Sequence, residues 1–455
     1  MILRHPSVIS SVADPIRHRL RRVLSSLALL AAVGTSAAQS DTLTLEAALN
    51  TGLEASYGIR IARNNQSIAT EANTPGAAGM LPTVGWTTGQ NAAFNNTRLQ
   101  FFSGEERVVN WARSLNFTTS VQLNWTLFDG FAMYVNRDRL TEFEALQPVL
   151  IRQQVAQTAY QITLAYYAIV NQEELLRVLR ESLALSAERR QLATGKLRIG
   201  AGSELSLLQA RVDFNTDSSA IVRQEALLRQ SRARLNRLML LPPDSQVNVV
   251  RYIPLNDQLT LATLENLTLT ENPDLMLALA DIRLAELDIR QARAGLYPSL
   301  NMSTGVGFSR SSNQAGVLQS NRGYGPSGAL TLSYNLFDGG QVRRNISRSE
   351  YLLENRTFAY ESLREDLRTD LYVQYQAYRS SLDLIGIEAA NLEIARQTAR
   401  IAAGKYRLGA ANDLEVRQAQ VNLVEAENRL LSARYAAKVA ETDLLLLAGT
   451  LQGDN

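Results

Sequence analysis

The chain has 455 residues, with 46 Lys and Arg against 44 Asp and Glu, two histidines and no cysteine. A balance this close to neutral leaves no basic footprint for nucleic acid, and the missing thiol excludes disulfides, thiol catalysis and thiolate metal sites. Both histidines, His5 and His18, fall in a segment read below as removable, so imidazole acid–base chemistry and most transition-metal sites go with them. Carboxylate or magnesium chemistry would need a compact Asp/Glu group or a phosphate-cradling glycine loop. Neither is visible, so no enzyme, cofactor or metal is expected.

Residues 1–38 read as a signal peptide. Arg17, Arg19, Arg21 and Arg22 precede the apolar run 23–33, and Ser36 and Ala38 occupy the −3 and −1 positions of a cut before Gln39. That run is too short to cross a bilayer, and no later stretch reaches the roughly 18 apolar residues a membrane helix needs.

A first repeat is expected over 39–240: a helix, a strand hairpin at 81–128 and a helical hairpin at 131–240. In the hairpin, Leu115, Phe117, Val121, Leu123, Trp125 and Leu127 alternate with Asn116, Thr118, Ser120, Gln122, Asn124 and Thr126. This is the period of a strand with one apolar face and one polar, uncharged face. An antiparallel sheet over a soluble core is the plain reading. Strand length, the lack of charge on the polar face and Trp86, Trp111 and Trp125 near strand ends favour a lipid-facing barrel wall. The segment 81–94 supplies a weaker partner strand, and 95–113 is expected to be a loop. Asp129, in Leu127-Phe128-Asp129-Gly130, is placed at the N-cap of a helix over 131–198 that only Pro148 interrupts. Val155, Ile162, Ile169, Leu176 and Leu183 recur every seventh residue along it, a coiled-coil seam. It ends in Arg198-Ile199-Gly200-Ala201-Gly202, where Gly200 supplies a left-handed turn and Ser203 caps the next helix.

Residues 241–257, with Pro242, Pro243 and Pro254, link this repeat to a second one at 258–455. There a helix is followed by a strand hairpin at 298–337, with 310–326 as its loop, and by a helical hairpin at 340–448. The copies are in register. Leu127–Gly130 returns as Leu336-Phe337-Asp338-Gly339 and Arg198-Ile199-Gly200-Ala201 as Arg407-Leu408-Gly409-Ala410, both at an offset of 209 residues. Gly79-Met80-Leu81-Pro82 returns as Gly295-Leu296-Tyr297-Pro298 at an offset of 216. Asp338 and Asn412 are the second N-cap candidates, and Leu371, Tyr378, Ile385 and Leu392 the second seam. Four strands cannot close a spanning barrel, which needs about eight, and an open edge in lipid costs several kcal/mol per unpaired group. The barrel must therefore be shared between chains. The fold class is a mixed α/β membrane protein, a shared β-barrel continuous with a long coiled-coil helical barrel, built from two tandem repeats.

In this order and at this spacing, the duplication, the two Leu-Phe-Asp-Gly junctions, Ala-Arg-Ala-Gly-Leu-Tyr-Pro-Ser-Leu at 292–300 and the two Arg-x-Gly-Ala tips resemble the TolC-like outer-membrane factor family. The resemblance implies a homotrimer with twelve strands in outer-membrane lipid and a helical tunnel in the periplasm. It further implies a periplasmic adaptor (membrane fusion) protein and an inner-membrane pump or ABC exporter as partners. The chain would then be a passive, gated duct for efflux or type I secretion, and the alternative is a coiled-coil scaffold without a pore. Adaptor docking would fall on the tips, at Arg198, Gly200, Ala201, Gly202, Arg407, Gly409 and Ala410, though ordinary helix C-caps explain the same residues. The family's acidic pore constriction maps onto Glu415 and Gln418, and its lock onto Tyr406, Ser206 and Ala411, where only the tyrosine is kept. Asn412-Asp413-Leu414-Glu415 reads equally as a capping box. Thr74-Pro75-Gly76 interrupts a helix that the family continues.

Overall fold

The computed structural model describes residues 42–315 and 318–451, so the expected signal peptide lies outside the described residues. The first repeat contains α1 (Leu45–Ala55), α2 (Tyr57–Ala72), β1 (Thr83–Gln100), β2 (Glu106–Phe128), α3 (Ala132–Arg198) and α4 (Glu204–Leu238). The second contains α5 (Leu261–Glu271), α6 (Pro273–Ala294), β3 (Ser299–Asn313), β4 (Ser320–Ser333), α7 (Gln341–Arg407) and α8 (Asp413–Leu447). Helices α3 and α7 are both 67 residues long, on the order of 100 Å, and α4 and α8 are both 35. No helix among the described residues is long and apolar enough to cross a membrane.

The strands form one antiparallel sheet in the order β1-β2-β3-β4. Its registers repeat the duplication: Thr83 opposite Asn124 becomes Ser299 opposite Ser333 when each partner moves by its own offset. Beneath the sheet, α2, α3, α6 and α7 touch as successive neighbours in one layer. Two equivalent cores thicken this layer midway along the long helices. One joins Ile162, Tyr166 and Ile169 of α3 to Leu235 of α4, Ala48 of α1 and Val247 and Val249 of the linker. The other joins Leu371 and Tyr378 of α7 to Leu264 of α5 and Leu444 of α8. The heptad positions thus bury against the short helices and, in the first copy, the linker as well as against the hairpin partner.

Several expectations need correction. Pairing continues through both expected loops, leaving only 101–105 between β1 and β2 and 314–319 between β3 and β4. A ladder needs only backbone donors and acceptors, so it outlasts the apolar alternation that marks a strand in the sequence. Pro148 lies inside α3 without ending it. Helix α2 does stop at Ala72, and Thr74 Oγ1 accepts from Ala77 N in the turn that follows.

The cap expected at Asp129 is absent. Gly130 and Phe131 both take left-handed backbones, Phe131 is the N-cap residue without a side-chain bond, and Asp129 Oδ1 is buried without a hydrogen-bond partner. The same pair of left-handed residues, Gly339 and Gly340, follows Asp338. Asp338 does accept from Gly340 N and Val342 N, each at 2.8 Å, although Gly340 is the N-cap residue. The Val342 amide bond, ahead of the others, holds the Asp338 carboxyl below the usual range.

Candidate functional site at the helical tips

The far ends of the two helical hairpins share one backbone design. Ala201 N donates to Lys196 O at 2.9 Å and Gly200 N to Leu197 O at 3.1 Å. Ala410 N donates to Lys405 O at 2.8 Å and Gly409 N to Tyr406 O at 3.1 Å. This is the Schellman arrangement, which satisfies the last carbonyls of a helix through one left-handed residue. Gly200 and Gly409 supply it at φ +75° and +76°, and a Cβ at either would meet nothing within 4 Å. Glycine is therefore required by backbone conformation and not by space.

The following helices are capped as expected. Ser203 Oγ accepts from Ser206 N at 3.1 Å, and Asn412 Oδ1 accepts from Glu415 N at 2.8 Å. The Glu415 side chain does not close a reciprocal box. Its carboxylate stands 3.9 Å from Lys405 Nζ and is half exposed. Gln418, one turn on, donates to Asn422 Oδ1 at 2.8 Å, so Glu415, Gln418 and Asn422 form a polar stripe along α8.

Tyr406 is buried among Ala402, Val416 and Ala419. Lys196 Nζ lies 4.1 Å from its ring centroid and donates to its carbonyl at 3.4 Å. Burial first, then the Asp413 carboxylate, pushes the phenol up to about 12. Ser206 stays beside its own cap, where the Ser203 hydroxyl donates to it at 3.1 Å. The structure therefore places Tyr406 at the joint between the two hairpins and leaves Ser206 out of it.

A cluster that sequence reasoning missed holds this joint two turns further up. Arg417 of α8 makes two 3.0 Å bonds to Asp217 of α4 and lies 3.5 Å from Asp213. Arg189 of α3, buried, pairs with Asp213 at 3.0 Å, and Ser186 donates to Asp217. Gln420 of α8 donates to Ser182 O at 2.7 Å. The residues come from three helices and form no local motif, so only the fold reveals them.

The sequence reading also passed over four exposed aliphatics. Ile199 and Leu205 on the first tip are matched at the repeat offset by Leu408 and Leu414 on the second, and Leu408 is 86% exposed. That repetition was a usable signal. Among the described residues no group of three or more Asp, Glu, His or Cys converges in a way that could hold a metal ion.

Residues 264–450 match the family model described as outer membrane efflux protein. That match covers less than half of the chain. The chain is similar to the cation efflux system protein CusC of Escherichia coli (strain K12), 27% identical over 308 residues, 66% of this chain and 64% of CusC. The match thus spans less than two thirds of CusC. The outer membrane protein TolC of Salmonella enteritidis is 22% identical over 77% of this chain and 72% of its own length. The fold matches the crystal structure of the Campylobacter jejuni CmeC outer membrane channel with a TM-score of 0.71. That match is 15% identical in sequence and covers 90% of this chain and 87% of that one.

Proposed function

We propose that the chain is the outer-membrane duct of a tripartite efflux or type I secretion system, trimeric and without chemistry of its own. The observation that carries this reading is geometric. Two strand hairpins with one apolar and one polar face lead, through junctions at 129–131 and 334–340, into helices of equal 67-residue length, so three copies would continue one wall from lipid into the periplasm. The open edges of β1 and β4 require further chains if the sheet lies in lipid. The tips are then the periplasmic mouth. Ile199, Leu205, Leu408 and Leu414 offer the apolar surface, and Arg198 and Arg407 the charge, for an adaptor and through it an inner-membrane pump. Glu415, with Gln418, is the candidate constriction, a carboxylate per subunit that would favour cations.

Replacing Gly200 and Gly409 together by valine tests the docking assignment. Export should fail while the protein still inserts in the outer membrane and conducts in planar bilayers. Normal export by that variant would remove the tips as the docking surface.

A further inference from the structure

The four strands carry five arginines, Arg98, Arg107, Arg113, Arg310 and Arg322, against one acidic residue, Glu106. All six stand in the half of the sheet away from the helices. Glu106 takes Arg98 at 3.2 Å, and among the described residues Arg113, Arg310 and Arg322 pair with no carboxylate. Arg310 and Arg322 are directly opposite each other across β3 and β4, and both are exposed. Like charges placed face to face on one sheet repel, so the chain alone gives this pair no compensation. Side chains alternate along a strand. Arg310 therefore shares its face with Leu300, Met302, Val306 and Phe308, and Arg322 shares it with Tyr324 and Leu330. This is the apolar face that the proposed duct turns to lipid. Phe308 lies opposite Tyr324 in the row next to the arginines, and its ring centroid is 6.2 Å from that of Phe117. An aromatic row thus lies directly beneath a cationic one.

The height of the pair fits a membrane surface. From Leu300 to Arg310 the strand advances about 34 Å, which at a barrel tilt of about 40° is about 26 Å along the axis, against an apolar band about 25 Å tall. The arginines therefore stand where hydrocarbon gives way to headgroups. We propose that Arg310 and Arg322 together hold a phosphate of a phosphorylated glycolipid in the outer leaflet, with its acyl chains lying over Phe308, Tyr324 and Val306. Guanidinium groups present forked donors that match phosphate oxygens, and one phosphate between the two would replace their repulsion with two attractions. A zwitterionic headgroup fits less well, because its ammonium would face the same two cations. Arg113 lies on this face four residues beyond Phe117, about 13 Å further along the strand, and would receive a second phosphate on the same headgroup.

This site rests on the outer-membrane reading and adds a lipid partner to it. The probe is lipid A, an acylated disaccharide with two phosphates, titrated into the full-length protein in mild detergent. Binding should saturate, and dephosphorylated lipid A should bind about thirtyfold more weakly, the loss expected for two basic residues at a lipid surface. Arg310→Gln/Arg322→Gln should lose lipid A to the same extent and bind the dephosphorylated lipid as the unaltered protein does. Equal binding of lipid A by that variant overturns the site. Arg322→Glu covers a folding defect, because it turns repulsion across the strands into attraction. It should melt no lower than the unaltered protein in lipid-free detergent and still lose lipid A, and retention of lipid A by it also overturns the site. Inorganic phosphate at the same concentration should not displace lipid A, and displacement would make the ligand a free anion and overturn the lipid assignment. Membrane fractionation of the unaltered protein separates the two claims. An outer-membrane protein whose variants bind lipid A normally loses this site alone, whereas a protein that washes from membranes without detergent loses the outer-membrane reading and the site with it.

Discussion

At the scale of single residues, the tips separate backbone, cap and charge effects. Asn412→Ala deletes an N-cap acceptor and should cost roughly 1 kcal/mol of thermal stability while leaving ion preference alone. Glu415→Gln keeps size and helix position and removes the charge, so cation preference in planar bilayers should fall with melting nearly unchanged. Unaltered ion preference would mean that Glu415 is not at the constriction. Arg417 is a different kind of residue, because it compensates two half-buried carboxylates at once. Arg417→Met should destabilise the helical hairpins by about 3 kcal/mol, since removing one member of a buried ionic group strands the others. Adding Asp213→Asn and Asp217→Asn should recover most of that loss. If the triple variant melts no higher than Arg417→Met, the stranded-charge explanation is wrong.

At the scale of elements, the two cores and the tip joint each enclose a tyrosine. Burial pushes Tyr167, Tyr378 and Tyr406 up to about 12. Their ordinary value is near 10, so on raising pH the unfolded chain ionises first. Stability is intact below pH 10 and should fall between about pH 10 and 12. Helical circular dichroism followed through that window checks this, and a flat profile would show that the phenols are not buried in solution. The elements were largely legible beforehand because their signals are local and occur twice. The alternation at 115–127, the seventh-residue spacing from Ile162 to Leu176 and the glycines at 200 and 409 each state a backbone requirement. The lengths of β1 and β2 were not legible, since pairing past Phe94 depends on a partner and not on side-chain pattern. Asp129 misled for a related reason. Asp129-Gly130 and Asp338-Gly339 are identical in sequence, but the first is drawn against Ala294 by the fold and loses its capping geometry. The Arg189–Asp213–Asp217–Arg417 group was illegible because its members are brought together from three helices.

At the scale of the whole molecule, the duplication sets the architecture. Each repeat supplies two strands and an elongated hairpin, and the β2–β3 contact joins one repeat to the next within the chain. Among the described residues nothing terminates that succession, because β1 and β4 both end it with unpaired edges and α2 and α7 end the helical layer beneath them. If the sheet lies in lipid as proposed, closure by further copies follows from the cost of open edges there, and about eight or more strands are needed for a spanning barrel. The most direct measurement is the mass of the intact complex extracted from outer membranes in mild detergent. Three chains per complex is the result this account requires. A single chain, or a protein that washes from the membrane without detergent, would contradict it.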